Sequence, residues 1–561
     1  MEYIPRKFKV GFDFGTSTTI IGGAINSTER VNIYVGADGR PFPSLVTVSG
    51  SEILTGFRAE QTSRQKSFQS DSLHTGSLLN PKSLLFLGND SAALGGFEPH
   101  DLVAAVIREA KQVIGGDDEG LIDWSDVVAT VPISMDGSAR RKLRRAFEDA
   151  GIGIRYFIQE PLAALVAHLR TQTEMVLRRG GEFVLVVDWG AGTLDATICR
   201  VGFGRIEQIL AAGTSPEEGV GGSAIDQKLA ELVAVANRRP HQLGASKIAL
   251  LWRILRYLRT FLRGNNPFTR EFIFDNDLIT QVEGSKILFS RNPNLEVDEI
   301  RVRSNDGSRV RTFSVTRDDV AHSYEDAIAS GRHLLLDLIE QASREGAKIS
   351  KIIAVGGVSQ SPEVRSMLEA LLPGCVEWPT EDCSTIGLGA PQRLIAEGAA
   401  LIAAGVAHVS IATDVFIDRG SQTSGHIAVR ARTPLPAQSS CVETSRNYMQ
   451  IAKDDLLTKR HFAAFRRSGF VLNAETTTWV IAVASFEVPP SLGSSIEVRT
   501  TLDSNGIFTF RIDGSNQTVS ESGFRCEVFD LPVLINYGHS HPDRPSKHFH
   551  FEDSFQRSTW S

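Results

Sequence analysis

Two aspartates mark the places where this chain can do chemistry. Asp13 ends one apolar run and is followed by Phe14, Gly15, Thr16, Ser17 and Thr18; Asp188 ends another and is followed by Trp189, Gly190, Ala191, Gly192 and Thr193. A carboxylate at the end of a buried strand is costly unless it is hydrogen-bonded or coupled to a metal, and the pattern occurs twice. A tight Gly/Thr turn after such a strand points successive backbone N–H groups into one concavity, the geometry that binds phosphate oxygens. A single turn of this kind is more often an ordinary hairpin than a phosphate site. Two that face one another would clamp a polyphosphate.

Two further glycine runs border apolar elements. Gly356-Gly357 ends the run KIIAVGG ahead of a helix expected from Pro362, and Gly219-Val220-Gly221-Gly222 precedes a helix containing Asp226. Bare backbone at a helix entrance lets a flat ligand approach closely.

The elements that must position these turns alternate along the chain. From Phe8 to about Ala404, Val/Ile/Leu/Phe runs such as FVLVVD alternate with helical stretches such as SARRKLRRAFEDAG, which predicts an α/β region. Beyond Asp414 the sequence turns Thr/Val/Ser-rich and alternating, as in SSIEVRTTLDSNGIFTFRI, which predicts an all-β region with a two-residue primed turn at Asn505-Gly506. The length of 561 residues calls for two or more domains. A formal charge of -7 lacks the basic footprint of a nucleic-acid binder. The five scattered cysteines contain no CxxC pair, which argues against a disulfide framework or zinc site and for a reducing compartment. No secretory pattern opens the chain, and the apolar stretch 398–417 contains His408 and Asp414, so a cytoplasmic protein without a membrane span is expected.

In order and spacing, these motifs resemble the seventy-kilodalton heat-shock chaperones of the actin-like ATPase superfamily. GFDFGTSTT is similar to the family's first phosphate motif, VVDWGAGTLDATI to the second and AVGGVSQSPEV to its adenosine motif; VPISMDGSARRKLRRAFEDAGI with FIQEPLAALVAHL resembles the connecting segment, and PQRLIAEGAALIAA the closing helix. The resemblance implies an actin-like nucleotide-binding domain over residues 1–404, with two lobes built from duplicated ribonuclease-H-like subdomains. A linker at 405–413, a β-sandwich client-binding domain at 414–515 and a tail at 516–561 without the helical lid would follow.

For the site, the resemblance implies ATP or ADP with Mg²⁺. Asp13 and Asp188 would hold the metal largely through its water shell. Gly15, Thr16, Ser17 and Thr18 would bind phosphates opposite Gly190, Ala191, Gly192 and Thr193; Lys82 would lie by the γ-phosphate, and Glu160 would help order metal and water. Asp13, Glu160, Lys82, Asp188 and Thr193 are thus the catalytic candidates. Gly221, Gly222, Gly356 and Gly357 would approach the nucleoside, and Arg259 in LWRILRYLRTFLRG would stack on the base. From the residues alone, Lys82 also reads as a solvated surface lysine and Glu160, before Pro161, as a helix-start acid.

The sequence departs from the family at several positions. Val358, Gln360 and Gln392 replace polar or charged residues on the nucleoside side, Leu255, Leu258 and Leu262 stand where polar contacts are expected, and Tyr156 replaces an arginine that contacts J-domain co-chaperones. Pro132 and Arg140 match the switch that relays nucleotide state. The implied partners are an unfolded peptide or dedicated client, a J-domain co-chaperone and a nucleotide-exchange factor. A pseudo-ATPase scaffold for one dedicated protein is the alternative. The tail histidines His539, His541, His548 and His550 read as an exposed loop rather than a metal site.

Overall fold

Runs of β-branched and apolar residues bounded by Gly and Asp form the central strands, as their period dictates. The computed structural model describes residues 7–25, 31–36, 39–49, 52–66, 80–86, 97–115, 120–170, 181–236, 276–303, 310–344, 346–379, 390–412, 414–418, 426–438, 440–450, 460–468, 479–488, 495–514, 524–528 and 531–537. Arg259 with its helix, Leu255, Leu258, Leu262 and the tail histidines lie outside the described residues, as does the 538–561 stretch of the tail.

The first sheet takes β1 (Phe8–Phe14), β2 (Thr18–Ala24), β3 (Val31–Tyr34) and β4 (Phe42–Pro43). The hairpin β5 (Val46–Ser49) and β6 (Glu52–Thr55) follows, with helices α1 (Gly56–Lys66), α2 (Pro81–Leu84) and α3 (Pro99–Gly115). β7 (Ile122–Val131), α4 (Gly137–Asp149), β8 (Ile154–Gln159) and α5 (Glu160–Arg170) complete this half. The sheet order is β3-β2-β1-β7-β8, with β1 antiparallel to β2 and parallel to β7.

The second half repeats the plan. β9 (Glu182–Trp189), β10 (Leu194–Gly202) and β11 (Arg205–Gly213) form an antiparallel meander, followed by α6 (Gly222–Ala236), α7 (Asn276–Arg291), the hairpin β12 (Val297–Arg303) and β13 (Val310–Thr316), and α8 (Arg317–Arg344). β14 (Ile349–Val355) then lies parallel to β9, and after α9 (Pro362–Leu371) β15 (Val376–Glu377) lies parallel to β14. In each half a three-strand meander is extended by parallel strands on the side of its first strand. α10 (Ala390–Ala403) crosses back to pack on α5, where Gly398 lies directly against the Ala163 backbone. Both helices share a core with Val184, Val186, Ile353 and Val355 of the second sheet.

After α10 comes β16 (Ala407–Ile411), inside the segment expected to be linker. Eight strands follow: β17 (Val415–Asp418), β18 (His426–Val429), β19 (Cys441–Gln450), β20 (Arg460–Ser468), β21 (Trp479–Val488), β22 (Ser495–Asp503), β23 (Phe508–Gly514) and β24 (Phe524–Val528). They make two antiparallel four-stranded sheets, β18-β17-β20-β21 and β19-β22-β23-β24. The Thr500 and Thr444 hydroxyls both donate to Ala428 O, at 2.9 and 2.8 Å, tying one sheet to the other. The last strand, β25 (Val533–Tyr537), leaves this region and enters the second α/β sheet, whose order is β15-β14-β9-β10-β11-β25-β16.

The turn between β22 and β23 differs from the primed two-residue form. Gly506 has φ 73° but Asn505 is not in the left-handed region; Gly506 N donates to Asp503 O and Asp503 N to Ile507 O. The Asp503 carboxylate accepts from the Asn505 and Ile507 backbone amides and from Asn505 Nδ2, so the acid fixes the turn and leaves the Asn505 side-chain oxygen for another partner.

Candidate functional site

Asp13 near the end of β1 and Asp188 near the end of β9 occupy equivalent places in the two repeated sheets, and the turns after them are duplicates at the level of single hydrogen bonds. Gly15 N donates to Thr18 O at 3.0 Å, and Gly190 N donates to Thr193 O at 3.0 Å. The turns meet, because a Cβ on Gly192 would overlap the Thr16 side chain. Gly222 N and Ser223 N donate to Gly190 O and Ala191 O, at 3.1 and 2.8 Å, and so seat the Gly221-Gly222 loop on the second turn. Gly356, at φ 83°, lies against Asp188 and Trp189.

Lys82 is brought in by a local device. Asn80 caps the short helix α2, accepting from Lys82 N at 3.2 Å, while its amide Nδ2 donates to Thr16 O, which fastens α2 to the first turn. Lys82 Nζ then lies 2.7 Å from Glu160 Oε1, with both side chains buried. This corrects the reading of Lys82 as a solvated surface lysine. Glu160 does begin α5, and it serves as the lysine's counter-ion as well.

A residue that the sequence reasoning did not single out completes the cluster. Asp195 on β10 stands opposite Asp188 in the ladder and is 1 % exposed; its Oδ2 accepts from Thr193 Oγ1 at 2.6 Å and its Oδ1 from Ile133 N at 2.7 Å. Its signal was the two-residue spacing from Thr193, which puts both on one face of a strand. Thr193 is thereby engaged with Asp195.

Four buried carboxylates, Asp13, Glu160, Asp188 and Asp195, thus surround one ammonium. Burial, and then the neighbouring Glu160, push Asp13 and Asp195 each to about 7. The same causes, with Asp195 and Asp13 adding to them, raise Asp188 well above the carboxylate range. Burial pulls Lys82 down, but Glu160 and Asp13 outweigh it and hold its pKa above the ordinary ammonium value. Such an excess of buried negative charge suits a hard cation with oxygen donors. Among the described residues no three His, Cys, Asp or Glu side chains are disposed to ligate a metal directly, so the fit is to a cation held through its water shell.

On the other side of the Gly221-Gly222 loop, the side chain that Gly222 lacks would lie 2.9 Å from Val358 Cγ2 and 3.7 Å from Lys286 Nζ, and that of Gly357 would lie 3.5 Å from Gln392 Nε2. Lys286 pairs with Asp226 at 2.6 Å. The glycines, Val358 and Gln392 are therefore brought together, and the helix described beside them is α7, with Lys286. Sequence reasoning passed over this helix for 251–264, whose arginine was the more conspicuous signal. Gln360 sits in the short 3-10 turn that precedes Ser361, the N-cap of α9.

A path leads from the site to the β region. Ile133, bonded to Asp195, follows Pro132; Met135 O accepts from Arg140 Nε at 2.9 Å, and Arg140 Nη1 donates to Asn505 O at 3.1 Å. Arg144 donates to Asn505 Oδ1, Ser504 O and Ile154 O at 2.5, 3.0 and 2.7 Å. Tyr156 is buried in β8.

Comparison with known proteins agrees with this geometry. A model of the Hsp70 protein family matches residues 88–258. The chaperone protein DnaK of Deinococcus radiodurans is 25% identical over 89% of this chain and 76% of its own length; that of Picrophilus torridus is 23% identical over 89% and 74%. The DnaK of Deinococcus proteolyticus is 29% identical over 42% of this chain and 38% of its own length. The chain is similar to Hsp70 proteins at low identity over most of its length, which supports a divergent relative of that family. That likeness supports a chaperone-like role, and Hsp70 proteins as a family are ATPases that bind ATP or ADP with Mg²⁺. Among the described residues no helix is long and apolar enough to cross a membrane.

Proposed function

We propose that this chain is an Hsp70-type protein that binds and hydrolyses Mg-ATP between the two glycine turns and that nucleotide state governs peptide or protein binding by its β region. The buried cluster of Lys82 with Asp13, Glu160, Asp188 and Asp195, set where two duplicate turns meet, carries the reading. Bound Mg-ATP would supply the phosphoanhydride and the cation that neutralises the carboxylates. Backbone N–H groups of residues 16–18 and 191–193 would hold phosphate oxygens, and Asp13 and Asp188 would accept hydrogen bonds from metal-bound water. Lys82, kept protonated by Glu160 and Asp13, would stabilise negative charge developing on the transferred phosphoryl group. Asp195 would sense the change through Ile133, and the Pro132–Met135 segment would pass it to Arg140 and Asn505. A J-domain partner would find no arginine at position 156, where Tyr156 is buried in β8.

One observation favours a binding module without turnover. Val358 sets an apolar side chain against Gly222 on the nucleoside side, where a hydroxyl would serve ribose. Calorimetric titration with ATP, with and without Mg²⁺, tests the ligand, and release of a fluorescent peptide in ATP and in ADP tests coupling. Mg-dependent binding with faster release in ATP is expected. Absence of ATP binding defeats the proposal, and identical release rates defeat the coupling.

A further inference from the structure

The C-terminal strand β25 enters the second α/β sheet in an unusual way. It lies between β11 and β16: Arg205, Ile206 and Glu207 of β11 pair with Asn536, Ile535 and Leu534, and all five residues of β16 pair with Tyr537 through Val533. Among the described residues β16 has no other strand of that sheet beside it: its far edge meets residues 432–435, where Ile411 N donates to Thr433 O and Leu435 N to Val409 O. Among those residues, the segment leading out of the α/β region joins the ladder of this sheet through β25.

Side chains reinforce the seat. Leu531, Val533, Leu534 and Ile535 are buried. Val533 N donates to Gln208 Oε1 at 3.1 Å, and Gln208 Nε2 donates to Gln159 Oε1 at 2.5 Å. Gln159 directly precedes Glu160. Tyr537 Oη donates to Val166 O of α5 at 2.9 Å, and Tyr537 N to Gly204 O at 3.1 Å. Strand, edge and both halves of the α/β region are thus joined at one place.

We propose that the slot between β11 and β16 is a strand-accepting peptide site whose occupant is this chain's own segment 531–537, and that this segment acts as a clasp holding the β region docked. A domain tethered by one linker swings away when its docking contacts break. Here the β strands are bracketed between β16 and β25, which are neighbours in the sheet, so undocking requires β25 to leave its ladder. Main-chain pairing gives such a site its affinity and the consecutive buried side chains of Val533, Leu534 and Ile535 give its preference, so the occupant must be extended and apolar on both faces. The clasp does not depend on whether ATP is the ligand at the carboxylate cluster.

Hydrogen exchange read by mass spectrometry tests it. In the full chain, 407–411 and 533–537 open as one unit, with exchange rates within about threefold of each other. A chain ending at Asp530 is expected to lose protection at 407–411 and 205–207 by at least about tenfold while 184–201 stays protected, and the synthetic peptide LPVLINY added in trans restores it. Parent-like protection of 407–411 in the shortened chain overturns the clasp, as does failure of the peptide to restore it. Should shortening also expose 184–201, the parent chain decides: opening of 407–411 much faster than 533–537 overturns the proposal, and matched rates support it.

Discussion

The Asp195→Asn substitution should make the metal-free protein more stable at neutral pH while harming its proposed work. Asp195 is 1 % exposed, and burial and Glu160 hold its carboxyl at about 7 in the folded chain, against 3.8 for the ordinary group. Because the folded value is raised, the protonated form favours folding. The unfolded chain releases this proton from about pH 4 upward and the folded chain only near 7, so parent stability falls across that window and levels off above it. A difference of about three units corresponds to at most about 4 kcal/mol. Asn is isosteric, keeps an oxygen for the Ile133 amide and never ionises. Urea unfolding in EDTA at pH 5, 6, 7 and 8 should show a stability gap between variant and parent that widens from pH 5 to 7 and then holds constant. Saturating Mg²⁺ and ATP should narrow it by restoring the parent. A gap independent of pH between 5 and 7 would refute the claim that this carboxylate is held against its ionisation by the cluster.

Other consequences are more direct. Gly192→Ala pushes a methyl group into Thr16 where the turns meet and should weaken Mg-ATP binding by about tenfold or more in calorimetry, about 1.4 kcal/mol. Arg144→Ala removes guanidinium bonds to Asn505, Ser504 and Ile154; with each worth about 1.5–3 kcal/mol, faster exchange at 501–507 is expected. Asn80→Ala unties α2 from Thr16 and should lower the turnover number more than ATP affinity, because it frees Lys82 while the bond that closes the first turn, Gly15 N to Thr18 O, stays in place.

The two glycine turns were legible in the sequence because each is contiguous: Asp13 with Gly15–Thr18, and Asp188 with Gly190–Thr193, carry their geometry in adjacent residues. Lys82 was legible only through resemblance, since its burial depends on Asn80 reaching Thr16 and on Glu160 far along the chain. Asp195 needed strand register, which a single strand does not state. The turn at Asn505-Gly506 announced a hairpin, but its form depends on the Asp503 carboxylate and its use on Arg140 and Arg144. Least legible was β25. LPVLINY reads as an apolar strand anywhere, and nothing local says that it pairs with β11, more than three hundred residues earlier. Lys286 was missed because 251–264 offered a more conspicuous arginine, whereas α7 is recognised by its contacts with Asp226 and Gly222.

The central claim is that the buried lysine–carboxylate cluster serves phosphoryl transfer from Mg-ATP. Single-turnover hydrolysis by the full chain, beside Lys82→Ala and Asp188→Asn, tests it most directly. Measurable Mg-dependent hydrolysis in the parent, lost in both variants while Lys82→Ala still binds ATP, is the predicted result. Binding without turnover in the parent, or turnover unchanged by Lys82→Ala, would contradict it.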